Sequence, residues 1–258
     1  MGASRISPSD AESAAGRFAE GLRVGIAGWS NPPPPNRQRR AEQSHLQYYA
    51  EHFSCVEINS SFYRTHRQST YAAWNLATPA SFRFAVKMPR AITHDSGLED
   101  TGEATAQFFD DIEALQPKLG AVLVQLPPSL EFDAAQVHAF FKSMPKSRRT
   151  PLVCEPRHAS WFTGAADALL EQLNVTRVAT DPTAFESARL PGGNPDLAYF
   201  RWHGSPHKYY SSYSQIQLAE FAAQVAAVGG PRTWCIFDNT AQHAAWNNAT
   251  DLFEYFAD

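Results

Sequence analysis

Eight short apolar runs recur along the chain, each followed by a helical pattern, and this alternation constrains the fold more than any other feature. The runs are VGIAGWS (24–30), CVEINSSFY (55–63), FRFAVKM (82–88), AVLVQLP (121–127), PLVCEPR (151–157), VTRVATD (175–181), LAYFRWHG (197–204) and WCIFDN (234–239). Strands that alternate with helices pair in parallel through right-handed crossovers. Eight such units within 258 residues match a single (β/α)8 TIM-type barrel, an α/β fold that typically takes about 250 residues. The rival is a doubly wound open sheet. It usually shows a Gly-rich phosphate turn after its first strand, and GIAGWSNPPPP is no such turn.

Between the runs, apolar residues return at helical spacing. Residues 41–53 carry Leu46, Tyr49, Ala50 and Phe53 on one face, and residues 101–119 carry Phe108, Phe109, Ile112 and Leu115. Asp133 and Ser214 each stand three residues before a Gln, the arrangement that opens a helix. A last amphipathic helix is expected near 246–256. Residues 1 to about 20 read as a loosely ordered polar leader, and 21–258 as one domain. The prolines Pro32–Pro35 and the stretch 192–195 read as loops within it.

The formal net charge is −4, which disfavours a dedicated nucleic-acid binder without excluding a local basic groove. The basic cluster Arg37–Arg40 reads as a solvated loop. No apolar run approaches the ~20 residues of a membrane helix, so no membrane partner is expected. Cys55, Cys154 and Cys235 lie far apart among strand-like residues. They read as buried free thiols of a cytoplasmic protein.

PLVCEPRHASW poses the functional question, because a buried strand suddenly carries Glu155, Arg157 and His158. The same alternation appears elsewhere. Glu57 and Asn59 oppose Val56 and Ile58; Lys87 lies between Val86 and Met88; Gln125 lies between Val124 and Leu126. Arg201 and His203 alternate with Phe200 and Trp202. If the apolar face meets the helices, the polar face converges inside the barrel toward its C-terminal mouth, where barrel active sites sit. Buried charges must pair or serve a ligand. The plain alternative is an internal ion-pair network, for example Glu155 with Arg201 and Glu57 with Lys87.

Positions at other strand ends are ambiguous. Trp161 floors a pocket or staples a helix start. Asp181 caps a helix or points inward. Asp238 and Asn239 end the last run, where such residues commonly cap the final helix. His94 decorates the surface or joins the site. Gly204 and Ser205 could offer backbone N–H groups to an anion.

Taken in order, VGIAGWS, VEINSSFYR, FAVKMPRAITH, LVQLPPS, EPRHASW, YFRWHG and FDNTAQHAAWNNA resemble the motifs of the YecE-like family, domain of unknown function seventy-two. The resemblance runs from about Val24 to Ala249. It implies a TIM-type barrel and no established activity. It also implies functional positions at Glu57, Asn59, Tyr63, Arg64, Lys87, His94, Gln125, Glu155, Arg157, Trp161, Arg201, His203 and Asn239. Departures from the family pattern are Pro156 between Glu155 and Arg157, Asp238 where Asn is usual, and the short proline run after Trp29.

The expected function is that of a hydrolase or isomerase acting on a small anionic, phosphorylated or sugar-like molecule. Glu57 and Glu155 would be general base and acid, and His203 a proton shuttle. Lys87, Arg157 and Arg201 would clamp the anion. No cofactor is called for, although Glu57, Glu155, Asp181, His203 and Asp238 are ligand types a divalent metal could use. The alternatives are a metal-assisted phosphodiesterase or nucleic-acid binder, with arginines on phosphates and Trp29, Tyr63 and Trp161 on bases, and a non-catalytic metabolite-binding barrel.

Overall fold

The computed structural model describes residues 21–30, 40–145, 150–228 and 232–256. The polar leader, the run Pro32–Pro35 and Arg37–Arg39 of the basic cluster lie outside the described residues. All eight expected runs form strands: β1 (Leu22–Ala27), β2 (Cys55–Ile58), β3 (Arg83–Lys87), β4 (Leu119–Gln125), β5 (Leu152–Glu155), the consecutive pair β6 (Val175–Arg177) and β7 (Ala179–Asp181), then after the short β8 (Gly192–Gly193) the strands β9 (Ala198–Trp202) and β10 (Thr233–Phe237). The sheet order is β7-β9-β10-β1-β2-β3-β4-β5-β6-β8. Its neighbours run parallel apart from β6 with β8, which adds two glycines antiparallel at the edge.

The ring closes at Val178. Residues 175–177 pair with β5, the Val178 N–H reaches the Cys154 carbonyl at 2.8 Å, and 179–181 pair with β9. One stretch of chain therefore serves both ends of the sheet, and the open-sheet alternative is ruled out. The molecule is a (β/α)8-type barrel.

The helices lie between the strands in sequence: α1 (His45–Ala50), α2 (Gln68–Leu76), α3 (Gly102–Ile112), α4 (Ala134–Ser143), α5 (Gly164–Gln172), α6 (Gln215–Val228) and α7 (Ala244–Glu254). Their starts follow side-chain chemistry. Asp133 accepts from the Gln136 N–H at 2.8 Å. Ser214 and Gln217 exchange bonds. Ser44 and Gln47 form a capping box that starts α1 later than residue 41. The helix expected over 101–119 ends at Ile112. A single tight turn, Glu113–Leu115, follows, because Pro117 lacks an N–H and blocks continuation. The last helix starts after His243 with no side-chain cap, so neither Asp238 nor Asn239 caps it. Both have other work.

Side-chain parity separates two apolar layers. Val24, Ile26, Val56, Ile58, Phe84, Val86, Val122, Val124, Phe200, Trp202 and Phe237 face the helices in one buried cluster. Ala27, Cys55, Ala85, Ala121, Leu123, Val153, Tyr199, Trp234 and Ile236, of the opposite parity, fill the barrel interior. The three thiols are buried and free. Going up the interior from this apolar layer, the next residues of the same parity are Glu57, Lys87, Gln125, Glu155 and Arg201. The polar faces thus lie inside, at the C-terminal end of the strands.

The interior layer is tight at Gly25, where an added Cβ would fall 2.4 Å from the Cys55 carbonyl oxygen and 2.8 Å from its Sγ. Backbone in the adjacent strand cannot give way as a flexible side chain could. Gly25→Ala is expected to cost about 1–3 kcal/mol, read as a lowered midpoint in urea unfolding; an unchanged midpoint would show that the β1–β2 spacing adapts.

Candidate functional site

Arg201 stands at the centre with no exposed surface. Its Nε donates to both Glu57 oxygens at 3.2 and 3.0 Å, and Nη2 donates to Glu57 Oε1 at 2.7 Å. Nη2 also reaches Asp238 Oδ2 at 3.0 Å, and Nη1 donates to Glu155 Oε2. One guanidinium therefore holds three carboxylates, each from a different strand end. The planar fork of arginine suits this bridging; a lysine ammonium would not reproduce it. Of the two ion pairs expected from sequence, Glu155 with Arg201 is present. Glu57 pairs with Arg201 rather than with Lys87.

The remaining valences are filled around this core. Tyr199 OH donates to Glu57 Oε2 at 2.9 Å. Gln125, whose strand register places it beside Glu155, donates to Glu155 Oε1 at 2.9 Å. Arg157 Nε donates to the same oxygen at 3.1 Å. His203 Nδ1 lies 3.0 Å from Asp238 Oδ2, and Asn59 Nδ2 donates to Asp238 Oδ1 at 3.3 Å. His203 Nε2 is buried without a hydrogen-bond partner, 3.4 Å from Glu155 Oε1. With Nδ1 engaged by Asp238, Nε2 is the imidazole atom left to exchange a proton.

Electrostatics assigns Glu155 and Asp238 a fixed charge. Burial alone would raise the pKa of Glu155, but Arg201, His203 and Arg157 outweigh it and hold the carboxyl well below its usual range. Asp238 is lowered in the same way, with Arg201 and His203 overriding burial. A carboxyl held this low is not a proton donor at neutral pH, so the general-acid role expected of Glu155 does not fit its surroundings.

Lys87 is the opposite case. It is 8% exposed, and among the described residues it makes no ion pair. Its Nζ lies 4.0 Å from the centre of the Phe62 ring. Burial, reinforced by Arg201 and offset in part by Glu155, Glu57 and Asp238, brings its pKa down to about 8. His94 touches the same Phe62 ring at 4.9 Å. Burial, Lys87 and Arg157 lower the pKa of His94.

A cavity of about 320 Å³ opens beside Glu155, lined among others by Arg157, Thr180, His203 and Lys208. A roomier hollow of about 730 Å³ lies outside the barrel, between α1 and the end of α2. Its wall includes exposed side chains such as Arg40, Glu42 and Leu76 and, among the described residues, no buried charged group, so the chemistry lies at the mouth.

Several expected positions are not brought into the network. Tyr63 is 82% exposed, and Arg64 is also exposed, on the rim. Trp161 is buried, donates to the Leu130 carbonyl at 2.9 Å and packs on Phe132, so it serves the core. Asn239 donates to the Ser211 carbonyl at 3.0 Å and to Asn248 Oδ1 at 2.8 Å, tying strand to helix. The Gly204 N–H is taken by Tyr213 OH at 2.9 Å and is not free for an anion. Asp181 caps no helix; it accepts from the same hydroxyl at 2.9 Å. Tyr199, Lys208 and Tyr209 enter the neighbourhood unannounced. Only Tyr199 carried a signal, since it shares the inward parity of Arg201. Among the described residues no group of three His, Cys, Asp or Glu side chains is arranged to hold a metal ion.

The family described as Protein of unknown function DUF72 matches residues 23–258. The chain belongs to that family. It is 28% identical over 174 residues to UPF0759 protein YecE of Escherichia coli (strain K12), a match covering 64% of this chain and 61% of the relative. It is 30% identical over 148 residues to UPF0759 protein YunF of Bacillus subtilis (strain 168), covering 54% of this chain and 52% of that protein. The matched stretch thus spans half to three fifths of the length of these relatives. A crystal structure of a DUF72 family protein from Enterococcus faecalis V583 superposes with a TM-score of 0.77 at 20% identity, covering 91% of this chain and 95% of that one. One from Thermotoga maritima MSB8 gives 0.75 at 24%, covering 92% and 99%. These likenesses show the fold. Among the described residues no helix is long and apolar enough to cross a membrane.

Two outcomes test this electrostatic picture. Arg201→Met strands three buried carboxylates and is expected to cost about 3–5 kcal/mol at pH 7. In the native protein Glu155 and Asp238 stabilise above the ordinary carboxylate range and lose that contribution as pH falls. The variant's deficit should therefore shrink toward pH 4 in parallel urea titrations. Lys87→Met probes the reverse sign. The folded-state pKa of Lys87 is about 8 against an ordinary lysine's 10.5, so its burial penalises the native protein below pH 8 and ceases to do so by about pH 10.5. Lys87→Met should be more stable than the native protein by about 1–3 kcal/mol at pH 7, with the gap closing between those limits; a gap independent of pH would refute the depressed pKa.

Proposed function

We propose that this barrel is an enzyme, a hydrolase or isomerase, acting on a small anionic, phosphorylated or sugar-like molecule at its C-terminal mouth. Arg157 and Lys208 hold the anionic group, Arg157 through its planar fork. Lys87 and His203, rather than the two glutamates, transfer protons. The observation that carries this reading is Lys87: an amine 8% exposed, without an ion pair among the described residues, with a pKa brought to about 8 by burial. A structural lysine gains its partner from the fold. A lysine in a barrel mouth with an aromatic ring beside it and no carboxylate at ion-pair distance among the described residues, poised to exchange a proton near neutral pH, has the marks of a functional group. Glu57, Glu155 and Asp238 then serve as the fixed negative frame that positions Arg201 and His203.

The cavity of about 320 Å³ favours a small ligand, since pockets for drug-sized molecules run from about 300 Å³ upward. Free buried thiols support work in a reducing cytoplasm. A second reading, nucleic-acid binding, draws on the exposed rim pair Tyr63 and Arg64, the first of them 82% exposed.

Thermal-shift measurements with inorganic phosphate, phosphorylated sugars, sugar acids, divalent metals and short oligonucleotides at two salt concentrations separate these readings. A small anion at ~100 times its dissociation constant should stabilise by ~2.7 kcal/mol. The shift should change little with salt and should weaken at least about tenfold in affinity in Arg157→Gln. A shift confined to oligonucleotides and abolished by salt would overturn the small-anion reading in favour of the second one.

A further inference from the structure

We infer that Lys87 is a covalent nucleophile, forming an imine with a carbonyl-bearing anion such as a keto acid or a phosphorylated aldehyde. The inference rests on the small-anion reading above and narrows its substrate class to carbonyl compounds.

The argument starts from what surrounds the amine. Lys87 ends β3 inside the barrel mouth, with its Nζ 4.0 Å from the centre of the Phe62 ring. Among the described residues no carboxylate approaches within ion-pair distance. Glu57, Glu155 and Asp238, the acids whose fields reach it, are already taken by Arg201. The amine therefore faces an aromatic ring on one side and a buried guanidinium behind the carboxylates. Desolvation and the neighbouring cation favour the neutral form, the one that carries a lone pair, against the pull of the ring face and of the three carboxylates toward the ammonium. At pH 7 a lysine of pKa about 8 is roughly 10% neutral, against roughly 0.03% for an ordinary one. A lysine needed only as a clamp would gain from the opposite arrangement, a nearby carboxylate that fixes its charge.

The groups an imine-forming step needs are at hand. The Lys87 lone pair attacks the carbonyl carbon; the C–N bond forms as the carbonyl pair moves to oxygen, which takes up a proton. The nitrogen gives up one proton, the hydroxyl leaves as water after a second protonation as C=N forms, and the nitrogen then releases its second proton to leave the neutral imine. Amine plus carbonyl thus gives imine plus water, and no oxidant or reductant is consumed. His94 shares the Phe62 ring with Lys87 and feels its charge, which makes it the nearest candidate proton carrier. Arg157, which acts on His94 as Lys87 does, lines the cavity with Lys208 and is the cation offered to the substrate's anionic group.

The test is reductive trapping on the intact chain. Pyruvate, glyoxylate, glyceraldehyde phosphate and ribose phosphate are each incubated with the protein and sodium cyanoborohydride at pH 7, and the adduct is located by peptide mapping. The expected result is one adduct per chain on Lys87, formed at least tenfold faster than on the exposed Lys142 and competed by the non-carbonyl anions lactate or glycerol phosphate. Lys87→Met should abolish it. The mapping on the unaltered protein decides the matter even if that variant fails to fold. Trapping no faster at Lys87 than at Lys142, with lactate or glycerol phosphate still producing a thermal shift, overturns the covalent role and leaves the anion site standing. Absence of both the trap and the shift overturns the two together.

Discussion

The structure depends on one guanidinium. Arg201 is fully enclosed, and it pairs with Glu57 from β2, Glu155 from β5 and Asp238 just after β10. Three buried carboxylates repel one another strongly where the dielectric is low, and any one of them left unpaired costs several kcal/mol. The barrel can place charge at its mouth only because Arg201 reaches all three. The helix-facing layer and the apolar interior could be assembled from many apolar sequences; this junction could not. It also decides which groups are left to do chemistry. Glu155 and Asp238 are held as anions, His203 is oriented by Asp238, and Lys87 is left with a ring and no carboxylate at ion-pair distance among the described residues.

Much of this was legible in the sequence, for a definite reason. Strand side chains alternate with period two, so Glu57, Lys87, Gln125, Glu155 and Arg201 declared themselves inward as soon as their apolar neighbours were assigned to the helices. The eight runs and the barrel followed from the same alternation. What was not legible is what lies across the barrel. Tyr199 bonds to Glu57 over 142 positions, and Arg201 to the same carboxylate over 144; no local pattern encodes partners so distant. Pairing Glu57 with Lys87 was the natural guess between adjacent strands. It failed because the arginine fork satisfied Glu57 first.

Other misreadings have equally local causes. Asp238 and Asp181 carry residue types that cap helices, and short polar residues before a helix invite that reading. Both instead accept bonds from beyond their own segment, from Arg201 and from Tyr213. Trp161 follows the catalytic-looking E-P-R-H stretch, yet its indole N–H is satisfied by a carbonyl and its ring by Phe132. Proximity in sequence to a polar strand end does not place a side chain in the mouth. Tyr63 and Arg64 make the same point from the rim.

The closure at Val178 carries a further consequence. β6 and β7 divide seven residues between two partners, β5 on one side and β9 on the other, and Glu155 and Arg201 stand on those same two partners. The ion pair between them spans the seam like a clasp, bypassing the strand that closes it. With β9 in register, Arg201 offsets part of the acid charge and holds the seam from inside. A β9 shifted in register would leave buried acid without its guanidinium, at a cost of several kcal/mol.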